Sequence, residues 1–215
     1  VEGRLRFNGL QPPHIPRTLI TVGRQSIDWS GGHLKHQEWP TQMSRFFMLI
    51  PLMRAFQKTG DERFAEAARD YIQDWMSRFD MEDIALRGNT CMDIGIRLGT
   101  HGRGGWAAAL AMFMDSPSWN DAFIERMLTS MERQAVILWK RGIPSCGGNH
   151  RIFGLDGLLH TALRLPFMRD ADEMRRDAVE GLRQAFRQQF LADGAHFERT
   201  LQYHWHMTGT FVHLA

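Results

Sequence analysis

From Glu38 onward, apolar residues recur every three or four positions, the spacing that gathers them on one side of an α-helix. In "DERFAEAARDYIQDWMSRF" the face consists of Phe64, Ala68, Tyr71, Ile72, Trp75 and Phe79. Thr59, Gly60 and Asp61 supply a helix stop and a new N-terminus, so residues 41–58 and 62–79 are predicted to form a helical hairpin. The stretch "SPSWNDAFIERMLTSMERQAVILW" repeats the theme with Phe123, Met127, Met131, Ala135 and Leu138. Ser116 or Ser118 is its expected cap, and Pro117 suits an early helical position. Met174, Ala178, Leu182, Phe186 and Phe190 then follow at strict four-residue steps. No segment alternates with period two, so no sheet is predicted. The part up to Asp28, with Pro12, Pro13 and Pro16, has no long period and reads as loop with at most one short helix. The expectation is all-α, roughly seven antiparallel helices. Periodicity does not separate a bundle, a solenoid and an α/α toroid.

Composition narrows this picture only a little. The 215 residues suit one domain spanning 1–215, and 43% apolar with 23% charged residues is ordinary for a globular chain. The run "FFMLIPLM" is far shorter than the ~18–20 residues of a membrane span. A net charge of +2 gives no bulk attraction for nucleic acid. Of the 26 Lys and Arg residues, 23 are Arg, whose planar fork suits carboxylate, sulfate or phosphate; a GC-rich coding sequence explains the bias equally well. Cys91 and Cys146 have no metal-site spacing and read as structural or free. The chain starts at Val1 rather than Met and stops at Ala215 inside a helical pattern, so it is expected to be part of a longer protein.

The chemically interesting residues sit at the connections. In "SCGGNHRIFGLDGLLH", two glycines lead into Asn149, His150 and Arg151 where a helix begins, and a helix start offers unpaired N–H groups to an anion. Further on, "LADGAHFERTLQYHWH" holds His196, Glu198, Tyr203, His204 and His206. His204 and His206 are two apart and diverge on a helix, so His196, His204 and His206 could hold a metal only on irregular backbone, and no metal site is expected. Asp93, Asp156, Asp193 and Glu198 lie near these connections, and any two could flank a glycosidic bond. Their spacing selects no pair, and Asp193 before Gly194 is more simply a turn residue.

The segments "GGNHRIFGLDGLLH" and "DGAHFERTLQYHWH", in that order, resemble the heparinase II/III superfamily of polysaccharide lyases, in particular the heparinase III-type enzymes. Upstream, "EWPTQMSRFF", "TGDERFAEAARDYIQDW" and "MDIGIRLGT" are similar to the matching stretches, so the resemblance spans nearly the whole chain. It implies part of an incomplete α/α toroid, followed in the parent protein by a β-sandwich domain that is not in this chain. By the same resemblance, Asn149 holds the substrate carboxylate, His150 is its neighbour in the site, and Tyr203 transfers a proton. Arg45 and Arg97 match arginines that line the family's cleft and would bind the anionic sugar; Arg151, Glu198 and His204, close by in sequence, are further candidate substrate-binding residues. A further histidine would come from beyond Ala215. No cofactor is implied within this chain, and a divalent metal stays open for the downstream domain. The location implied is periplasmic or secreted, in a bacterium. The sequence departs from the family pattern at Gly154, where Glu is frequent, and at Thr200 and Leu201, which replace Ser and Pro.

These residue types suit β-elimination on a uronate. The proton beside an ionised carboxylate is weakly acidic, so donors aimed at that carboxylate must stabilise the developing enolate-like charge. An Asn amide and an Arg fork do this without changing protonation state. A tyrosine can take the proton as phenolate or protonate the leaving oxygen. The expected substrate is an acidic polysaccharide such as heparan sulfate. Alternatives are alginate or another polyuronate, a toroidal glycoside hydrolase using Asp156 and Glu198, or a non-catalytic carbohydrate-binding domain.

Overall fold

The computed structural model describes residues 1–5, 19–99 and 104–214. Along these residues run α1 (Trp39–Ser44), α2 (Leu49–Thr59), α3 (Arg63–Arg78), α4 (Cys91–Gly99), α5 (Trp106–Phe113), α6 (Asp121–Ile137), α7 (Gly148–Arg164), α8 (Ala171–Gln189) and α9 (Leu201–Leu214). The fold is all-α as expected, with one addition. Strands β1 (Arg4–Leu5) and β2 (Ile20–Thr21) pair antiparallel, Arg4 opposite Thr21. Two residues per strand are too few to show an alternation. Pro12, Pro13 and Pro16 lie outside the described residues.

The predicted hairpin exists, but its first arm is broken. Phe46 takes φ 58°, left-handed for a residue with a Cβ, and this separates α1 from α2. Its ring repays that strain by burial: it is fully buried, stacked on Trp29 and edge-on to Trp75 and Trp106. Gly60 ends α2 at φ 64°, its N–H donating to the Phe56 carbonyl at 2.8 Å. So short a connection returns α3 antiparallel along α2. The cap of α6 is neither serine. Asn120 Oδ1 accepts from Phe123 N at 2.9 Å, while Ser116 and Ser118 hydrogen-bond Glu62 across to the start of α3.

After α6 the backbone winds through a π turn (Leu138–Gly142) and a 3-10 turn (Ile143–Ser145) before α7 begins. Cys146, just beyond, is joined by a disulfide to Cys91, the first residue of α4, with the Cα atoms 6.5 Å apart. Helices α4 and α7 meet backbone to backbone. A Cβ added at Gly157 would collide with the main chain of Gly95, and one added at Gly95 would collide with the main chain of Phe153 and Gly154. A Cβ at Gly154 would run into Cys91 Sγ. This explains the departure at Gly154: a glutamate there has no room beside the disulfide. Helix α8 packs on the next face of α7, where Gly181 makes way for Leu155.

Candidate active site

Helix α7 opens without a side-chain cap: Gly147, extended at φ −134°, is its N-cap, and Gly148 follows at φ 56°. The glycine pair lets the chain turn sharply and leaves the positive end of a 17-residue helix open. Asn149 is half-buried there, His150 is exposed and Arg151 is half-buried.

The second segment reaches this helix end through a short hairpin. Phe190 and His196 form an isolated antiparallel bridge, Leu191 N donates to Ala195 O at 2.9 Å, and Gly194 turns at φ 82°. Asp193 Oδ1 accepts from Ala195 N at 2.9 Å, so it is the turn residue its place before glycine indicates. At the centre is Gln189, 5% exposed. Its amide nitrogen donates to the Gly148 carbonyl at 2.8 Å, and its amide oxygen lies 3.2 Å from His196 Nε2. His196 is fully buried; its Nδ1 accepts from Glu198 N at 3.4 Å, and its own backbone N–H donates to His204 Nδ1 at 3.3 Å. The two motifs are thereby joined at Gln189 and His196: Gly148–Asn149 on one side, Glu198 and His204 on the other.

Tyr203 lies in the first turn of α9, 37% exposed. Arg199, at φ 52°, turns the chain into this helix, and Thr200 caps it: Thr200 Oγ1 accepts from Tyr203 N at 3.2 Å and Thr200 O from His204 N at 2.9 Å. The change from serine to threonine therefore keeps the hydroxyl that positions the tyrosine's backbone. Leu201 stands at the first helical position, where an N–H has no intrahelical partner, so the loss of a proline leaves no bond broken. Thr200→Ser is expected to leave thermal stability within a few tenths of a kcal/mol, whereas Thr200→Ala should cost about 1 kcal/mol. Equal melting of the two variants would show that the hydroxyl does not cap.

Burial lowers the pKa of His196; Glu198 pulls it up and His204 pushes it down. The folded imidazole therefore resists a proton that the unfolded chain accepts near its ordinary value of about 6.5. In that window the unfolded state binds more protons, so stability rises with pH and falls on acidification below about pH 6.5. Comparing melting from neutral to mildly acidic pH with that of His196→Gln should show the steeper loss in the unsubstituted protein.

The arginines do not all behave as expected. Arg45, 11% exposed, follows α1 and donates through Nε to Asp93 Oδ1 at 2.7 Å; Asp93 also accepts from Thr90 Oγ1 at 2.8 Å. Arg97 is not a cleft residue. It is fully buried, donating to Gln134 Oε1 at 2.7 Å, Asn89 Oδ1 at 2.8 Å, Gly88 O at 2.9 Å and Ser44 O at 3.0 Å, with its guanidinium 4.3 Å from the Trp75 ring centre. Burial pulls its pKa down to about 9, against an upward pull from Asp93. An arginine this enclosed ties α4 to α6 and to the end of α1 and cannot reach a sugar. Asp156 is 1% exposed, and its carboxylate lies 3.2 Å from His160 Nε2 one turn on. That burial removes it as a solvent-facing hydrolytic carboxylate. Two cavities lie away from this cluster: one of about 460 Å³ beside Trp39 and Tyr71, another of about 740 Å³ beside Trp29 and Arg87. Among the described residues no cluster of three or more His, Cys, Asp or Glu is arranged to hold a metal.

Sequence reasoning missed Gln189, which reads only as the polar end of the α8 stripe. It saw His196 only as a metal-ligand candidate, although a histidine between a D-G turn and Phe197 is well placed to be buried. Asp93, weighed there as a hydrolytic carboxylate, instead holds Arg45.

The profile of the Heparinase II/III N-terminus family matches residues 14–215. The chain belongs to the heparinase II/III N-terminus family. Its sequence is 23% identical over 198 residues to a heparin-sulfate lyase of Bacteroides stercoris, covering 84% of this chain and 29% of that protein. It is 24% identical over 193 residues to the heparin-sulfate lyase of Pedobacter heparinus, covering 89% and 28%. The crystal structure of heparan sulfate lyase HepC from Pedobacter heparinus superposes with TM-score 0.74 at 21% identity, over 98% of this chain and 31% of that one. A crystal structure of heparinase III gives TM-score 0.76 at 19% identity, over 89% and 29%. These likenesses establish the heparinase II/III fold: helical hairpins forming part of an α/α toroid. The chain spans less than a third of the length of these relatives.

Proposed function

We propose that this chain is one helical domain of a longer lyase that cleaves a uronate-containing acidic polysaccharide by β-elimination, with a heparan sulfate-like glycosaminoglycan as substrate. The observation that carries this reading is the joining of the uncapped start of α7, which bears Asn149, to the helix that bears Tyr203, through Gln189 and His196. In this reading the hydrogen bonds tie the helix start assigned to the carboxylate to the helix that carries the residue assigned to proton transfer. Family membership and the names of the relatives support the same class.

In this reading Asn149 and the free N–H groups of α7 receive the uronate carboxylate and stabilise charge as the C5 proton leaves. The C5–H electron pair becomes the C4–C5 double bond while the bond from C4 to its oxygen breaks. Tyr203 as phenolate takes the C5 proton and gives it to the departing oxygen, and His150 is an alternative acceptor of the C5 proton or a second partner for the carboxylate. Arg151 and the outer N–H groups of Arg45 attract the polyanion. The disulfide between Cys91 and Cys146 supports a periplasmic or secreted location, where such bonds persist. Among the described residues no helix is long and apolar enough to cross a membrane.

The test is incubation of the complete gene product containing this chain with heparan sulfate, alginate and a neutral glucan. Ultraviolet absorbance from an unsaturated uronate should grow with heparan sulfate, and binding should weaken as salt rises. Cleavage without that absorbance would overturn elimination. Absorbance with alginate alone would move the substrate to the other polyuronates.

A further inference from the structure

A histidine that takes part in a site is a donor or an acceptor at a given nitrogen according to what its other nitrogen does. Here that choice is made inside the protein. The backbone N–H of His196 can only donate, so the ring atom it meets 3.3 Å away, Nδ1 of His204, must offer its lone pair. A neutral His204 then carries its proton on Nε2. The position of that backbone N–H depends in turn on the His196 ring, which is locked from both sides. Glu198 N–H donates to its Nδ1, which places the ring proton on Nε2, facing the Gln189 amide oxygen at 3.2 Å. The amide of Gln189 therefore has one orientation: oxygen to His196, nitrogen to the Gly148 carbonyl at 2.8 Å. Each donor in this chain meets an acceptor, and reversing any one member would set two donors or two acceptors against each other.

We propose that Gln189 is a positioning residue of this site, fixing Gly148–Asn149 against α9 and, through His196, committing His204 to the tautomer that donates from Nε2. This rests on the reading above that Asn149 and Tyr203 serve one reaction. His204 is then an N–H donor toward a carboxylate, sulfate or hydroxyl of the sugar and is not the base that removes the proton. Burial of His196 and Gln189 supports the arrangement, because inside the protein an unmatched donor is costly and a single pattern of bonds is enforced. The neighbouring ionisable groups are Glu198, which follows the hairpin, and His204 on α9.

Two measurements test this separately from the reaction class. Imidazole nitrogen shifts of the 215-residue chain at mildly alkaline pH should report the Nε2–H tautomer for both His196 and His204. Gln189→Met keeps length but removes both bonds, and Gln189→Glu keeps shape but offers Gly148 no N–H. Either variant should turn His204 into a mixture of tautomers and, in the complete gene product, lower kcat by on the order of 10–100-fold with KM changed far less. An Nδ1–H tautomer for His204 in the unsubstituted chain would overturn the proposal even if neither variant folds. So would folded variants with unchanged tautomer and kcat. Absence of any unsaturated product from the unsubstituted complete protein would instead sink the lyase reading, while the tautomer result would still decide the clamp.

Discussion

Replacing Tyr203 with phenylalanine in the complete protein is expected to lower the formation of unsaturated product by about 10²–10³-fold while the helical circular dichroism stays unchanged. The substitution keeps the ring and removes only the hydroxyl. Tyr203 takes part in folding mainly through its backbone, whose N–H is held by Thr200, and the residue is 37% exposed. Losing an oxygen there strands no buried group. Asn149→Ala should give a loss of similar size, because it removes a carboxylate donor and leaves the tyrosine in place. The two should differ in binding: Asn149→Ala should weaken affinity for uronate oligosaccharides that Tyr203→Phe leaves nearly intact. Near-normal cleavage by Tyr203→Phe would leave the reaction class standing and remove this residue from it.

Arg97→Leu is expected to act in the opposite sphere, on stability before activity. The guanidinium satisfies two backbone carbonyls and two side-chain amide oxygens in a fully buried setting. Each stranded acceptor costs about 1–3 kcal/mol, so the four together come to about 4 kcal/mol or more. Lysine should not rescue it, since one ammonium cannot reach four acceptors arranged around a planar fork. Urea unfolding of the three proteins would check this. A Lys variant as stable as the original would show that the charge matters and the fork geometry does not.

The contrast between these two residues shows what the sequence could and could not convey. The all-α class was legible because helical stripes such as Phe123, Met127, Met131 and Ala135 are a local property, and all four are buried. The broken first arm was not, because Phe46 leaves helical geometry to satisfy an aromatic cluster drawn from distant parts of the chain. The two segments that bear Asn149 and Tyr203 could be picked from motifs whose order matches a family, and the structure links them through Gln189 and His196. Arg97 was picked in the same way and misassigned: an arginine motif looks the same whether its fork faces a sugar or a ring of carbonyls. Gln189 left no mark at all, since its importance comes from a partner 41 residues away.

The contact between α4 and α7 at Gly95, Gly154 and Gly157 has a consequence for transplantation. With Cys91 pressed against Gly154, an α7 borrowed from a relative that carries glutamate at that place cannot be seated on this protein's α4. A chimera must exchange the two helices together, disulfide partner included. Asp93, which holds Arg45, then travels with Asn149. The α8–α9 hairpin is free of this constraint, since Asp193 and Gly194 at its turn are exposed.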